Sequence, residues 1–283
     1  MTANHDLAPG LYLVGTPIGN LEDMTLRAIR VLKQADLIAC EDTRQTQKLL
    51  NHYGIETRAV SYHEHNEASR AAELVRELEK GLRVAVVSDA GMPGISDPGF
   101  RLVSLAIEHG FPVFPVPGPA AFLAALVASG LPTDSFCFRG FLPAKSGARR
   151  RELEKILGSD ETQIYYEAPH RIKEALADIV EVLGTERPVV VARELTKIHE
   201  EFVRGTASEV AQILNARAEI KGEITLLIGK AAEGAGAPRG VSVRERVEQI
   251  MREESIDEKA ALKKVAKERG ISKSEVYRQM QRT

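Results

Sequence analysis

Two aspartates in one loop, Asp89 and Asp97, have the residue type and surroundings that best suit chemistry in this chain. The loop, residues 88–99, contains glycines and prolines but no lysine or arginine. A phosphate cradle needs many backbone N–H groups and usually a cation, whereas each proline removes an N–H group. The loop therefore favours a ligand that donates hydrogen bonds or carries positive charge, such as a ribose hydroxyl, an amino group or a sulfonium.

The elements on either side of this loop predict how it is positioned. Residues 84–87 form a short, β-branched apolar run, which predicts a strand buried on both faces, as in a parallel sheet. Residues 100–110 predict a helix, and Asp97 taken alone is interpreted as its N-cap, with Pro98 in the first turn. A strand, a glycine-rich loop and a helix place a ligand at the carboxyl end of a sheet. We therefore predict a ligand site at this loop.

The same alternation over residues 1–133 predicts a first domain with four strands in a mostly parallel sheet. Its other strands are predicted at residues 11–14, 37–40 and 111–116. These strands are followed by the turn GTPIGN at residues 15–20, by the acids Glu41 and Asp42, and by a helix that begins with Ala120 and Ala121. Residues 62–66 include two histidines but no further ligand, so they predict a capped helix start and no metal site.

Residues 134–230 alternate in the same way and predict a second α/β domain. Within it, one seven-residue segment holds four cations and no acid: Lys145, Arg149, Arg150 and Arg151. Arg139 and Arg171 are predicted at neighbouring strand ends. Together these residues are interpreted as a phosphate-binding surface rather than as a solvated helix start.

The C-terminal part is predicted to be separate from both domains. Residues 231–240 are a linker by composition, and residues 241–283 predict a small helical unit that is similar to a helix-turn-helix. Its third helix is predicted to begin with a capping box of Ser272 and Glu275. This unit has 11 Lys and Arg against 8 Asp and Glu, so both a structural and a nucleic-acid-binding role stay open.

Composition narrows the class of protein. The chain has 283 residues, 43% of them hydrophobic, and a formal net charge of −2, so a sizeable core is expected and the net charge decides nothing about nucleic acid. No apolar run approaches the roughly 18 residues that a membrane span needs. Cys40 and Cys137 form neither a metal motif nor a disulfide framework, so we expect a reducing, cytoplasmic setting.

Five segments, in their order and spacing, resemble one known family. They are residues 11–44, VSDAGMPGISDPG at 87–99, VPGPAA at 116–121, YEAPHRI at 166–172 and the acid-rich run at 192–205. That family is the 16S rRNA ribose methyltransferases, which are S-adenosylmethionine (SAM) enzymes of the tetrapyrrole-methylase-like superfamily. The resemblance covers nearly the whole chain, including the helical tail.

This resemblance implies two α/β domains of the tetrapyrrole-methylase, or class III SAM methyltransferase, type with a small C-terminal helical unit. SAM is expected in the cleft between the two domains, in a protein that is often a homodimer. The implied reaction moves the sulfonium methyl group to the ribose 2′-hydroxyl of a decoding-centre cytidine in 16S rRNA of the small ribosomal subunit. The residues implied to contact SAM are Pro17, Asp89, Gly91, Met92, Gly94, Ile95, Ala120, Ala121, Leu142, Tyr166, Ala168, Glu223 and Thr225.

The catalytic base and two rival functions stay open. A 2′-hydroxyl is a poor nucleophile, so a general base is expected, with Glu41, Asp42 and Glu167 as candidates. A tetrapyrrole C-methyltransferase shares the fold, but it leaves the basic segment and the helical tail without a role. A non-enzymatic regulator that senses a ligand and binds nucleic acid would use the tail, although the weak positive charge of the tail argues against a DNA reader.

Overall fold

The computed structural model describes residues 6–231, 243–254, 256–269 and 276–278. The chain divides into two units, the first made of residues 1–156 and 160–230 and the second of residues 157–159 and 231–283. The first unit contains two five-stranded sheets with helices between the strands. The α/β fold class predicted from the sequence is therefore confirmed.

The first sheet is entirely parallel, and its strands lie in the order β3-β2-β4-β1-β5. Its elements are β1 Gly10–Val14, α1 Leu26–Gln34, β2 Leu37–Cys40, α2 Thr43–His52, β3 Ala59–Ser61, α3 Glu67–Glu79, β4 Arg83–Val87, α4 Phe100–Glu108, β5 Val113–Val116 and α5 Ala121–Ser129. A short 3₁₀ helix, Leu21–Asp23, follows the turn after β1. Because the strands are parallel, their loops meet at one edge of the sheet.

The second sheet is mixed, in the order β6-β7-β10-β8-β9, with only β6 and β7 parallel. Its elements are β6 Phe136–Phe141, α6 Ser146–Glu154, β7 Thr162–Glu167, α7 Ile172–Leu183, β8 Pro188–Arg193, β9 Glu201–Thr206, α8 Ala207–Asn215 and β10 Ile224–Ile228. Both sheets belong to one unit. The domain boundary between residues 133 and 134 falls between α5 and β6, and it stays a prediction.

Strand β4 shows why an uninterrupted apolar run predicts a strand of a parallel sheet. Ala85 and Val87 pack into the core cluster on one face of the sheet, whereas Val84 and Val86 pack into the cluster on the other face. All four side chains are buried, so every position of the run had to be apolar. The strand predicted at residues 84–87 is thereby confirmed, one residue shorter than the observed strand.

The prediction of four strands in the first sheet is wrong, because β3 was missed. This strand has only three residues, and each of them is partly exposed. It pairs with β2 on one side only and forms an edge of the sheet. Such a short edge strand lacks the apolar run that marked the central strands.

The second unit is described only in part. Its helices α9 Val243–Glu254 and α10 Glu258–Arg269 share a small core that includes Val247, Val265 and Val276. Residues 276–278 are helical, but the predicted capping box of Ser272 and Glu275 lies outside the described residues, as does nearly all of the predicted linker at 231–240. Across the described helices, none has the length and apolar character to cross a membrane.

Candidate active site

A cavity of about 300 Å³ lies where the loop of Asp89 and Asp97 meets the second sheet. The loop after β4, the start of α5 and the adjoining ends of β7 and β10 contribute its walls. The residues that were predicted to contact SAM and that line this cavity are Gly91, Met92, Ile95, Ala120, Ala121, Tyr166, Ala168, Glu223 and Thr225. The structure thus brings together most of the predicted cofactor set, from both halves of the first unit.

Backbone contacts join the loop to the first turn of the chain. The N–H of Thr16 donates to the carbonyl of Gly91 at 2.9 Å, and the N–H of Gly91 donates back to Thr16 at 3.1 Å. Gly91 has a φ of 87°, a conformation that glycine adopts without strain. Gly15 lies so close to Gly118 that a Cβ on Gly15 would come within 2.7 Å of the Gly118 backbone. These contacts fix the three loops that end β1, β4 and β5 against one another.

Asp97 is part of the cavity wall and does not cap α4. The N-cap position of α4 is Gly99, so the N-cap prediction for Asp97 is wrong. Burial, together with the negative charges of Glu41 and Asp89, raises the pKa of Asp97 to about 6, although a hydrogen bond with Ser88 acts in the opposite direction. The N-cap prediction failed because tertiary packing turns the carboxyl group of Asp97 towards the cavity, two residues before α4 begins at its Gly99 cap.

Glu67 holds the end of this loop in place. Its Oε1 atom accepts hydrogen bonds from the backbone N–H of Gly99 at 3.2 Å and from the hydroxyl of Tyr62 at 3.0 Å. Tyr62 is buried, and its burial raises the pKa of the phenol, so the hydroxyl stays a donor over the whole neutral range. A carboxylate that accepts both bonds anchors the loop from outside the cavity.

Glu41 and Asp42 follow β2 at the same edge of the sheet, but neither lines the cavity. Burial and the charge of Asp89 raise the pKa of Glu41, and burial also raises the pKa of Asp89. Asp42 is the N-cap of α2, where its carboxylate accepts from the N–H of Arg44 at 2.7 Å. The backbone N–H of Asp42 donates to Asp89 at 3.2 Å. Asp42 therefore has a structural role as a helix cap, in addition to the catalytic role for which it was a candidate.

Glu167 lines the cavity from the end of β7, and its side chain is fully buried. Its Oε1 atom accepts from the N–H of Ala168 at 2.7 Å and pairs with the guanidinium of Arg171 at 2.9 Å. Its Oε2 atom is buried and has no hydrogen-bond partner among the residues that the structure describes. Arg171 is therefore engaged by Glu167, which weakens its assignment as a phosphate contact.

The remaining predicted cofactor residues lie elsewhere. Pro17 and Asp89 line a second cavity of about 580 Å³, which shares Ile18, Ala90 and Glu223 with the first. Leu142 is only 1% exposed and packs in the core of the second sheet, so it does not reach either cavity. Gly94 belongs to the same loop as Asp97 but lines neither cavity. Sequence reasoning also missed four wall residues to which it gave no role: Phe122, Phe141, Ala192 and Leu195.

The basic segment is less accessible than the sequence suggested. Arg149 is 1% exposed, and its guanidinium pairs with Asp178 at 2.7 Å. Arg150 bonds to Asp178 at 2.8 Å and to Glu181, and Arg139 bonds to Gln163 and lies near Glu152. A phosphate contact by Arg149 is therefore not supported, because the side chain is already buried and paired. Lys145, the N-cap residue of α6, and Arg151, in the last turn of that helix, are exposed.

No group of metal-ligating side chains is present in the described part of the chain, which includes the two histidines of residues 62–66. Helix α3 begins after Asn66, as predicted, but the side chain of Asn66 does not cap the helix. It accepts instead from the N–H of His63 at 2.9 Å. The prediction of a helix start is confirmed, whereas the prediction of a side-chain cap is wrong.

A parallel sheet joined to a mixed sheet, with a glycine-rich acidic loop at the cavity, is an architecture that known methyltransferases also have. A sequence profile described as Tetrapyrrole (Corrin/Porphyrin) Methylases matches residues 10–211, and the chain belongs to this family. Among its relatives, proteins named ribosomal RNA small subunit methyltransferase I from Halalkalibacterium halodurans and Bacillus subtilis are 49% and 47% identical to it. The first alignment covers 94% of this chain and 93% of the relative, and the second covers 94% and 92%.

Solved structures share the fold at lower identity. A cobalt precorrin-4 methyltransferase superposes with a TM-score of 0.57 at 18% identity, covering 81% of this chain and 96% of the other. A uroporphyrin-III C-methyltransferase from Thermus thermophilus, complexed with S-adenosylhomocysteine, superposes with a TM-score of 0.55 at 22% identity, covering 78% and 97%. These similarities establish the architecture of the first unit.

Proposed function

We propose that this protein is a SAM-dependent methyltransferase that methylates RNA of the small ribosomal subunit. The observation that carries the proposal is the cavity lined by the acidic loop of residues 88–99, in a chain 49% identical over most of its length to a ribosomal RNA small subunit methyltransferase I. The finer assignment is transfer to the ribose 2′-hydroxyl of a decoding-centre cytidine in 16S rRNA, and it is supported by the sequence resemblance. A cytoplasmic homodimer is proposed on the same basis.

The electrostatics of the cavity suit a cationic methyl donor. SAM carries a sulfonium and an ammonium group, and Asp97 lines this cavity, while Asp89 of the same loop lines the adjoining one. Two opposite charges about 4 Å apart interact by roughly 4 kcal/mol at an effective dielectric of 20. The loop contains no cation that would compete for these carboxylates. Phosphate-bearing cofactors are correspondingly disfavoured.

The chain's own residues chiefly have to align the reacting atoms. Alignment of a donor and an acceptor supplies roughly 7–11 kcal/mol in favourable cases. As the S–CH₃ bond breaks and the O–CH₃ bond forms, the proton of the hydroxyl passes to a base, and the sulfur leaves as a neutral thioether. Asp97, which was not among the bases predicted from sequence, lines the cavity and is the best-placed proton acceptor, whereas Glu41 lines neither cavity. Asp42 caps α2, and Glu167 is paired with Arg171.

The function is tested with small ribosomal subunits from cells that lack this protein. We expect the purified protein to transfer a labelled methyl group from SAM to 16S rRNA, at a ribose identified by mass spectrometry of nuclease fragments. A porphyrinogen is the parallel acceptor and tests the tetrapyrrole alternative. Methylation of the porphyrinogen alone would contradict the proposal, as would sequence-specific DNA binding without methyl transfer to either acceptor.

A further inference from the structure

We propose that the second cavity binds the acceptor, as a single ribonucleotide turned out of the RNA strand. This inference rests on the proposed function and adds to it the place of the substrate. The cavity has a volume of about 580 Å³ and is lined by the turn after β1, by α2 and by Lys197 and Glu223 of the second sheet region. None of the residues predicted from the sequence to contact RNA lines it.

The position of this cavity meets the geometric demand of methyl transfer. Reacting atoms must approach to about 3–3.5 Å before an in-line displacement. The acceptor must therefore lie in a space that opens directly onto the donor cavity. Ile18, Ala90 and Glu223 line both cavities. A donor in the first cavity and an acceptor in the second would meet at these shared residues.

The walls of the second cavity carry the groups that a nucleotide needs. On α2, Lys48 donates to the Oε1 atom of Gln45 at 2.9 Å, and it forms no ion pair with an acid among the residues described. Its charge is thus available to a phosphate, while the amide of Gln45 suits the edge of a base. On the other wall, Lys197 is held between Glu194 at 2.9 Å and Glu223 at 3.0 Å.

A strained loop borders the cavity on the side of Lys197. Glu194 and Thr196 have φ values of 52° and 63°, and such a conformation is a genuine outlier for a β-branched residue like Thr196. Asn20 donates its N–H to the Thr196 hydroxyl at 3.1 Å, and Glu200 accepts the Thr196 N–H at 2.7 Å. Strain of this kind clusters at ligand sites.

This strained loop presents an apolar side chain to solvent. Ile198, directly after Lys197, is 93% exposed. Proteins that part stacked bases insert such apolar wedges beside basic residues. The 2′-hydroxyl has to enter the cavity together with its nucleoside, so the acceptor nucleotide must unstack from its neighbours in the RNA. An exposed isoleucine next to a nucleotide-sized cavity is suited to assist this unstacking.

Two substitutions on one helix test the proposal. Gln45 lines the cavity, whereas Gln47 is exposed and bonds to Asn51 at 2.8 Å, about 200° further round the helix. Gln45→Trp places a large ring in the cavity, and Gln47→Trp is the matched control. The chain has no tryptophan, so the fluorescence of the single indole in each variant reports whether that variant is folded.

We expect both variants to bind SAM as the wild type does and Gln47→Trp to methylate small subunits normally. Gln45→Trp should be at least tenfold slower. Calorimetric titration with cytidine 5′-monophosphate should show binding to the wild type and to Gln47→Trp, and at least tenfold weaker binding to Gln45→Trp. Wild-type rates for Gln45→Trp, or an equal loss in both variants, would overturn the proposal. If the wild type methylates no RNA, the proposed function fails, and equal binding of cytidine 5′-monophosphate by the two variants would then refute the nucleotide site independently.

Discussion

At the scale of single residues, Asp97 and Asp36 show opposite consequences of where a carboxyl lies. Burial, with Glu41 and Asp89 nearby, raises the pKa of Asp97 from 3.8 to about 6. A hydrogen bond from Arg83 lowers the pKa of Asp36, and the ion pair between them measures 2.6 Å. Asp97 is therefore charged at neutral pH at a cost to stability, whereas the charge of Asp36 stabilises the fold. A residue kept at such a cost in a cavity wall is typical of a functional site.

Asp97→Asn should raise the thermal unfolding temperature at pH 7.5, and the gain should shrink towards pH 4.5. Between pH 3.8 and about 6 the folded state of the wild type binds more protons at Asp97 than the unfolded state does, so stability falls as the pH rises through this range. The measurement is calorimetric unfolding of the wild type and the variant across this pH range. A variant that is less stable at pH 7.5 would contradict the assignment.

The matched control is Asp36→Asn. The pKa of Asp36 is lowered in the folded state, so its contribution is present above the unfolded pKa and is lost as the pH falls through the folded value. We expect this variant to be less stable than the wild type at pH 7.5 and to approach it in acid. Stability changes of opposite sign in the two variants would show that burial makes the charge of Asp97 destabilising, whereas ion pairing makes the charge of Asp36 stabilising.

At the scale of elements, the packing of α6 against α7 depends on a buried charge pair. Arg149 on α6 is 1% exposed and pairs with Asp178 on α7 at 2.7 Å. Burial by itself would raise the pKa of Asp178, but hydrogen bonds from Arg150, Ser146 and Arg149 outweigh it and lower the pKa. The basic segment predicted to bind phosphate therefore has two faces, one holding helices together and one facing solvent.

Arg149→Ala should destabilise the protein by about 3–5 kcal/mol, because it leaves the carboxylate of Asp178 without its buried partner. Arg151 is exposed two residues further along the same helix. Its replacement by alanine should lower the free energy of unfolding by less than about 0.5 kcal/mol. Urea unfolding measures both changes. Under the proposed function, Arg151→Ala should instead weaken binding of 16S rRNA and reduce its salt dependence. Equal stability losses in the two variants would contradict the distinction.

At the scale of the whole molecule, the two units have separate cores. The first unit contains both sheets and both cavities, and the second has its own small cluster around Val247 and Val265. We expect a chain that ends at Lys230 to fold and to bind SAM with the affinity of the full chain. Circular dichroism and calorimetric titration with SAM test this expectation. Loss of SAM binding in a folded truncated protein would show that the second unit contributes to the site.

The amino-acid sequence by itself determined the features that depend on neighbours along the chain. Apolar runs located β2 at its observed residues and β4 to within one residue. The acids, glycines and prolines of residues 88–99 predict a ligand site at this loop. Its motifs also indicated the family that the sequence profile matched. These features are local because hydrogen-bonding groups and side-chain periodicity act over a few residues.

Only the tertiary structure decided the features that depend on distant partners. Asp97 became a cavity residue rather than a helix cap, because its loop meets the second sheet there and α4 begins only after Gly99. Arg149 was predicted to bind phosphate, but its guanidinium is instead bonded to Asp178, which lies on another helix. The second cavity joins α2 to Lys197, about 150 residues away along the chain. The burial and ion pairing of a side chain depend on which helices and strands pack together. A sequence pattern over a few residues does not contain that information.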